Sequence, residues 1–150
     1  MSVAQKLIAL DEDDLAVISA HVQDATVRVP DIIWRHGEKR LIVVVNRCDG
    51  GTLGCGGPTR RLAALRFDRV LACKSRHIDL DAPDLVIELL GLEFHPGEAP
   101  GGSVVLFFTD RGEMRIDIEC IECELADLGD EDESVAEDGI AAVDAGARIA

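Results

Sequence analysis

Aromatic residues are scarce in this sequence, which has no tyrosine, one tryptophan and four phenylalanines among 150 residues. Proteins that stack the bases of single-stranded nucleic acid present several aromatic rings on an exposed sheet. The scarcity of rings therefore counts against that class of protein. It also means that a hydrophobic core must be built mainly from leucine, isoleucine, valine and alanine. Because 47% of the residues are apolar, the chain has enough of them for one globular domain.

Long apolar segments are missing as well. No run approaches the roughly 20 residues that a membrane-spanning helix needs, so no membrane contact is expected. The first ten residues lead directly into the acidic residues 11–14, which leaves no room for the apolar region of a signal peptide. We therefore expect a cytoplasmic protein. Its cysteines are odd in number and should be reduced thiols rather than a disulfide framework; they are Cys48, Cys55, Cys73, Cys120 and Cys123.

Basic residues are few, and they are unevenly distributed. The chain has 15 lysines and arginines against 29 aspartates and glutamates, a net charge of −14. Residues 28–76 carry eleven bases and four acids, a net of +7, whereas the rest carries four bases and 25 acids, a net of −21. A basic middle section of this kind either forms an anion-binding face or is neutralised by acidic neighbours in the fold.

The N-terminal part predicts a strand followed by a helix. Residues 6–10 resemble a short strand, and Asp11 is a suitable N-cap before an acidic first turn. The apolar residues after it recur at helical spacing, so one face should cover a sheet; they are Leu15, Ile18, Val22 and Ala25.

The apolar period then changes to two, which predicts strands. Residues 31–35 and 38–46 should form a hairpin around His36-Gly37, and residues 41–45, apolar on both faces, should lie in a central strand. In residues 61–77 the alternation places Leu71 on the apolar face and Val70 on the opposite face. The remaining strands are residues 85–94, where a short helix is the alternative, residues 103–109, and residues 114–125, where a shift of the alternation indicates a β-bulge.

The pattern as a whole predicts an α+β fold. An N-terminal strand and helix should pack on a strongly bent, mostly antiparallel sheet or half-closed barrel of about six further strands. Residues 1–128 should form this single domain, and residues 129–150 should form an acidic, mobile C-terminal tail.

Several blocks of the sequence resemble a bacterial family catalogued as domain of unknown function 2948. The blocks are residues 6–11, 14–25, 64–72, 74–76, 96–100 and 115–122. Together they cover about the first 128 residues and leave the acidic tail outside. The resemblance implies a small soluble bacterial protein, and it brings no activity, cofactor or catalytic residue with it.

The basic section provides the candidate binding residues. An anion or an acidic partner surface could be bound by a cluster made of Arg47, Arg60, Arg61, Arg66, Lys74 and Arg76. The alternative is pairing with the acidic start of the helix and with an acidic strand face formed by Asp117, Glu119, Glu122 and Glu124. Residues 49–59 are rich in glycine and could form an anion nest, although a flexible connection is the simpler interpretation.

Catalytic chemistry has weaker support. Cys120 and Cys123 have the spacing of a metal or redox pair, but residues three apart in a strand face opposite ways, and the flanking glutamates would raise a thiol pKa. His21 and His77 are the histidines that a cysteine could use as a base. No metal and no cofactor is predicted, and no residue is assigned a catalytic role.

Three functions therefore remain open from the sequence. The first is a non-enzymatic binding module whose basic strand face docks an acidic or phosphorylated protein partner or a small anion. The alternatives are a thiol-dependent enzyme that uses cysteine and histidine, and a structural subunit of a homo-oligomer. Nucleic acid is not expected as a partner, because a net charge of −14 repels a polyanion.

Overall fold

The computed structural model describes residues 6–48 and 60–128 of the chain. The glycine-rich segment 49–59 and the acidic tail 129–150 lie outside the described residues, as do residues 1–5. The elements, in chain order, are β1 (Lys6–Ala9), α1 (Glu12–Val22), β2 (Ala25–Arg28), β3 (Ile32–Arg35), β4 (Arg40–Cys48), β5 (Arg60–Asp68), β6 (Val70–Arg76), β7 (Val86–Pro96), β8 (Gly102–Phe108), β9 (Glu113–Ile118) and β10 (Cys123–Asp127).

The strands of the described residues form one ten-stranded sheet, and all of their pairings are antiparallel. The order across the sheet is β1-β10-β5-β4-β2-β7-β8-β9-β6, and β3 pairs with β4 beside this path. The sheet is therefore open, with β1 and β6 as its two end strands. One helix and a mainly antiparallel sheet agree with the predicted α+β class. The described part of the chain holds nine strands after β1 rather than about six, because β2 was not predicted and two predicted strands are each divided in two.

Helix α1 begins and packs as its sequence predicts. The Asp11 side chain accepts a hydrogen bond from the Asp14 N–H at 2.8 Å and so satisfies a donor that the first turn leaves free. Leu15, Ile18 and Val22 are buried where the helix packs on the sheet, mainly on β7. Among the described residues, no helix combines the length and the apolarity that crossing a membrane requires.

The predicted helical position of Ala25 is wrong, because the helix ends earlier. Asp24 has a left-handed backbone, with φ of 67°, and its N–H bonds to the carbonyl of Leu89 at 2.8 Å. The chain thereby leaves the helix after Val22, and Ala25 is buried as the first residue of β2. The side chain reaches the core as expected, but from a strand.

Strand β4 is central, as its apolar sequence indicates. It pairs with β5 along one edge and with β2 and β3 along the other. All five residues from Leu41 to Val45 are buried. Leu41, Val43 and Val45 belong to the main core, together with the buried face of α1.

A corner at Arg69 divides the predicted strand 61–77 into β5 and β6. Arg69 has φ of 64°, a left-handed conformation that reverses the inward and outward alternation. Val70 is consequently fully buried, and Leu71 is 46% exposed. The predicted placement of Leu71 on the core face and Val70 on the outer face is therefore wrong. Leu71 has no partner in the pairing with β9, and this skipped residue shifts the alternation a second time. Lys74 and Arg76 therefore lie on the outer face, as predicted.

A second corner replaces the bulge predicted in residues 114–125. Strand β9 ends at Ile118, near one end of the strand order. Strand β10 begins at Cys123, near the opposite end of that order. The shift in alternation therefore marks a change of pairing partner, from β6 and β8 to β5 and β1. A bulge and a corner leave the same trace in the sequence, because both move the alternation by one residue.

Strand β8 starts at a glycine that the packing requires. A Cβ atom at Gly102 would meet the backbone carbonyl oxygen of His95 and would lie 2.8 Å from Cε1 of Phe94. The carbonyl belongs to the paired strand β7 and cannot turn aside without breaking the ladder.

We expect Gly102→Ala to lower the free energy of unfolding by about 1–3 kcal/mol, because the added methyl group overpacks against backbone. Urea denaturation measures the change. Gly37→Ala is the matched control, since a Cβ there meets nothing within 4 Å. Equal unfolding free energies for the two variants would show that the strands accommodate the methyl group.

Candidate functional site

The six basic residues predicted as a binding cluster do not lie in one place. Arg47 and Arg61 face each other on the paired strands β4 and β5. Arg66 lies further along β5, and Lys74 and Arg76 lie on β6, beyond the corner at Arg69. Arg60 begins β5, and its side chain lies outside what the structure describes.

Arg47 and Arg61 are buried around a single carboxylate. Arg47 donates to Asp127 in a two-pronged arrangement, with Nε 3.1 Å from Oδ1 and Nη2 3.0 Å from Oδ2. Arg61 Nε lies 3.8 Å from the same Oδ2. The side chains of Arg47 and Asp127 are only 4% and 1% exposed. Such a buried group links strands β4, β5 and β10, and its cations are not presented to an external ligand.

Arg66 is also occupied by carboxylates. Its Nη2 lies 2.6 Å from Glu124 Oε1, across the β5–β10 pairing, and its Nε lies 3.1 Å from Asp68 Oδ2. Asp68 accepts a second hydrogen bond from Arg40 at 2.7 Å. Opposite charges on neighbouring strands stabilise a sheet, so this half-exposed network is structural.

The cations at the corner, Lys39 and Arg69, are also paired with carboxylates. Lys39 lies 3.1 Å from Glu119, and Arg69 lies 3.3 Å from Glu122. The hydrogen bond and the charge of Glu122 raise the pKa of Arg69. Three of the four acids of the predicted acidic strand face, Glu119, Glu122 and Glu124, therefore pair with the basic section.

Lys74 and Arg76 lie elsewhere, on the outer face of β6. They border an open groove of about 500 Å³ between β6, β8 and β9, which is lined by Lys74, Ser75, Arg76, Val105, Glu113, Arg115 and Asp117. Three of these residues are cationic and two are acidic. A groove of this size lies within the range of about 300–1,000 Å³ that is usual for small-ligand sites.

Two like charges face each other in this groove. Lys74 on β6 and Arg115 on β9 are direct cross-strand partners. Within the described part of the chain Lys74 forms no ion pair. Among the described residues, Arg115 forms an ion pair only with Asp117, with Nε 3.6 Å from Oδ1. The same oxygen also accepts a hydrogen bond from Ser103 Oγ at 2.9 Å. Like charges directly opposite each other destabilise a sheet. Arg47 and Arg61 are also direct cross-strand partners, but they share the carboxylate of Asp127, whereas no carboxylate of the described residues pairs with Lys74.

Arg76 completes the basic side of the groove. It lies opposite Glu113 on β9, with Nη1 3.7 Å from Oε2. Its side chain is 71% exposed, and such a long, exposed ion pair is easily exchanged for another partner. The groove therefore holds three cations, of which two have one distant carboxylate each.

Arg115 is the groove residue that sequence reasoning missed. The alternation of residues 114–118 places Arg115 and Asp117 on one face, but Asp117 and the glutamates after it give this stretch an acidic character in the sequence. The only signal that could have found Arg115 is the register between β6 and β9. That register is set by the skipped residue Leu71, which the sequence does not reveal.

Two thiols of the described residues, Cys73 and Cys123, are placed unfavourably for catalysis, while Cys55 and the side chain of Cys48 lie outside the described residues. Burial raises the pKa of Cys73 to about 12, and burial also raises the pKa of Cys123. Cys123 begins β10, whereas Cys120 lies in the corner before it. No group of three or more potential ligands could hold a metal ion among the residues that the structure describes. His21 Nδ1 bonds to the carbonyl of Val17 at 2.9 Å, within its own helix.

The groove makes a prediction about stability. Lys74→Glu should raise the free energy of unfolding by about 0.5 kcal/mol, because the new carboxylate faces Arg115 and removes a repulsion. Denaturation at low ionic strength measures the change, which should shrink at high salt.

Lys6→Glu is the matched control for this experiment. Lys6 lies on the end strand β1, 3.5 Å from Glu124, and its replacement changes the net charge by the same amount. It should lower the free energy of unfolding. If both substitutions destabilise the protein equally, Lys74 and Arg115 do not repel each other.

A second prediction concerns Cys73. With a pKa of about 12, its thiolate fraction at pH 8 is about three orders of magnitude below that of an exposed thiol. Iodoacetamide should therefore modify Cys73 at least 100-fold more slowly in the native protein than in guanidinium, as peptide mass spectrometry would show. If Cys73 in the native protein reacted as fast as it does in guanidinium, it would have to be considered a reactive thiol.

Comparison with known proteins places the chain in a family. No curated protein matches the sequence, and no solved structure matches it. A family model matches residues 5–138, a range that includes every described element and extends ten residues beyond Leu128. The chain belongs to the family described as protein of unknown function (DUF2948).

Proposed function

We propose that this protein is a non-enzymatic binding module, and that the groove between β6 and β9 holds an acidic or phosphorylated segment of a protein partner. One observation carries the proposal. Lys74 and Arg115 are direct cross-strand partners of like charge in an open groove, and the described residues give Lys74 no ion pair. An anion placed between them converts a repulsion into two attractions.

The basic section as a whole is not the proposed surface. Arg47, Arg61 and Arg66 are held by Asp127, Asp68 and Glu124. Of the six predicted residues, Lys74 and Arg76 remain as candidates, since the side chain of Arg60 lies outside the described residues. Arg115 is added to these two. This smaller set explains how a protein of net charge −14 can present an anion site.

The acids in the groove limit the kind of ligand. Glu113 and Asp117 lie beside Arg76 and Arg115, so the groove carries only one excess positive charge. Such a site favours a compact anion that contacts Lys74 and Arg115 directly. A long polyanion would be repelled by the acidic remainder of the protein.

The buried thiols do not support the alternative of a thiol-dependent enzyme. A nucleophilic cysteine needs a lowered pKa, whereas burial raises the pKa of both Cys73 and Cys123. The alternative of a homo-oligomer is tested by measuring the mass of the native protein in solution.

Amide chemical-shift titration with a short phosphoserine peptide tests the proposed site. We expect the largest shifts on β6 and β9, around Lys74 and Arg115. Lys74→Ala and Arg115→Ala should each weaken binding about tenfold, because each removes a charge-assisted hydrogen bond worth roughly 1.4 kcal/mol.

Lys6→Ala is the control, since Lys6 is an exposed lysine on the opposite end strand. It should bind the peptide as the unaltered protein does. Shifts that spread evenly over the surface, or equal binding by the Lys74→Ala variant, would refute the proposed site.

A further inference from the structure

Beside the groove lies a second possible binding surface, the edge of strand β6 that is not paired with β9. One edge of β6 pairs with β9, and β6 is the last strand in the sheet order. No described strand pairs with its other edge. The Val70 N–H already donates to the Lys39 carbonyl, so the available part of this edge is residues 71–76. These residues include no proline, which leaves their backbone groups able to donate and accept.

We infer that the backbone of the partner segment adds as an extra strand along the free edge of β6, while its acidic side chains, at alternate positions, extend over Lys74 and Arg76 toward the groove. The inference rests on the proposed function and specifies how the partner is held. Backbone hydrogen bonds would supply affinity, and the charged side chains would supply selectivity.

The spacing of the two cations favours an extended ligand. Lys74 and Arg76 are two residues apart, so they lie on one face of β6, about 7 Å from each other along the strand. Both are exposed. Side chains at alternate positions of an added strand have the same spacing, so each acid would lie beside one cation.

The charge on this edge also decides between possible occupants. If β6 of a second copy paired with this β6, lysines and arginines would approach one another, which destabilises the pairing. An acidic strand has the opposite sign and is favoured by both cations and by Arg115 on the next strand. The occupant that fits is therefore an extended acidic segment of another protein.

The other end strand is less suitable. Strand β1 has four residues, and its lysine, Lys6, lies 3.5 Å from Glu124. It therefore offers fewer backbone groups and no unoccupied cation. This difference makes β1 an internal control for binding at β6.

The test uses the full chain and four capped seven-residue peptides. The parent peptide has glutamates at two alternate central positions among threonines. The second peptide has the same composition with the glutamates adjacent. The third and fourth are the parent with N-methyl groups on one or the other set of alternate backbone amides, which removes the donors on one edge while keeping the charge. Fluorescence anisotropy measures affinity, and amide hydrogen exchange measures protection of β6.

We expect the parent peptide to bind at least fivefold more tightly than the peptide with adjacent glutamates. One N-methylated peptide should lose at least tenfold in affinity, and the other should bind nearly as the parent does. Alternate amides of β6, and none of β1, should gain protection. Lys74→Ala should weaken binding of the parent about fivefold, as expected for loss of one exposed ion pair, and Lys6→Ala should leave it unchanged.

The failures of the two proposals are distinguishable. If Lys74→Ala weakens binding but both N-methylated peptides bind as the parent does, the anion site stands and strand addition is wrong. If neither the parent peptide nor the phosphoserine peptide binds, the proposed function itself fails. If the free protein dimerises through β6, the occupant is a second copy; if β6 is already protected in a free monomer, the chain occupies its own edge. Either result overturns the inference of an external partner.

Discussion

The left-handed backbone at Arg69 is the constraint on which the arrangement of the sheet depends. If residues 60–76 formed one continuous strand, the same neighbouring strands would pair with its whole length. The turn at Arg69 instead lets β5 pair with β4 and β10 while β6 pairs with β9. The corner keeps its backbone groups bonded. The Val70 N–H donates to the Lys39 carbonyl at 2.9 Å, and the Arg69 carbonyl accepts from the Glu119 N–H at 3.0 Å. Since an unpaired backbone group is costly to bury, these bonds stabilise the corner that directs β6 to the far end of the sheet.

The same corner separates two kinds of basic residue. On the β5 side, cations face β4 and β10, where Asp127 and Glu124 are within reach. On the β6 side, the cross-strand partner of Lys74 is another cation, Arg115. Much of the charge asymmetry of the sequence is therefore structural, and Lys74 and Arg76 from its basic section border one groove. Internal neutralisation, one of the two interpretations that the sequence leaves open, applies to Arg47, Arg61 and Arg66.

Local signals made part of this structure predictable. The Asp11 cap, the hairpin around His36-Gly37 and the central strand at residues 41–45 depend on neighbouring residues alone. The corner at Arg69 does not, because arginine is not a residue that signals a positive φ as glycine or asparagine does. The exchange of Val70 and Leu71 between faces followed from that missed turn.

The candidate site was harder to predict, because it depends on which strands are neighbours. Lys74 and Arg76 were identified from charge and alternation, but their partner Arg115 lies 41 positions beyond Lys74 in the chain. Only the pairing of β6 with β9 brings the two together. For Arg47 and Arg61 the prediction from residue type is wrong. Arginine is usually exposed, but the fold buries these two side chains around Asp127.

The repulsion between Lys74 and Arg115 is tolerable because of where it lies. In an exposed groove water screens both charges, so the cost to folding is small, roughly 0.5 kcal/mol. An acidic strand laid along β6 would exclude part of that water and strengthen every charge interaction that it makes. The same two cations would then cost little in the free protein and attract strongly in the complex. On β5 the balance is the opposite for Arg61, because a buried cation needs a carboxylate within the fold, which Asp127 supplies.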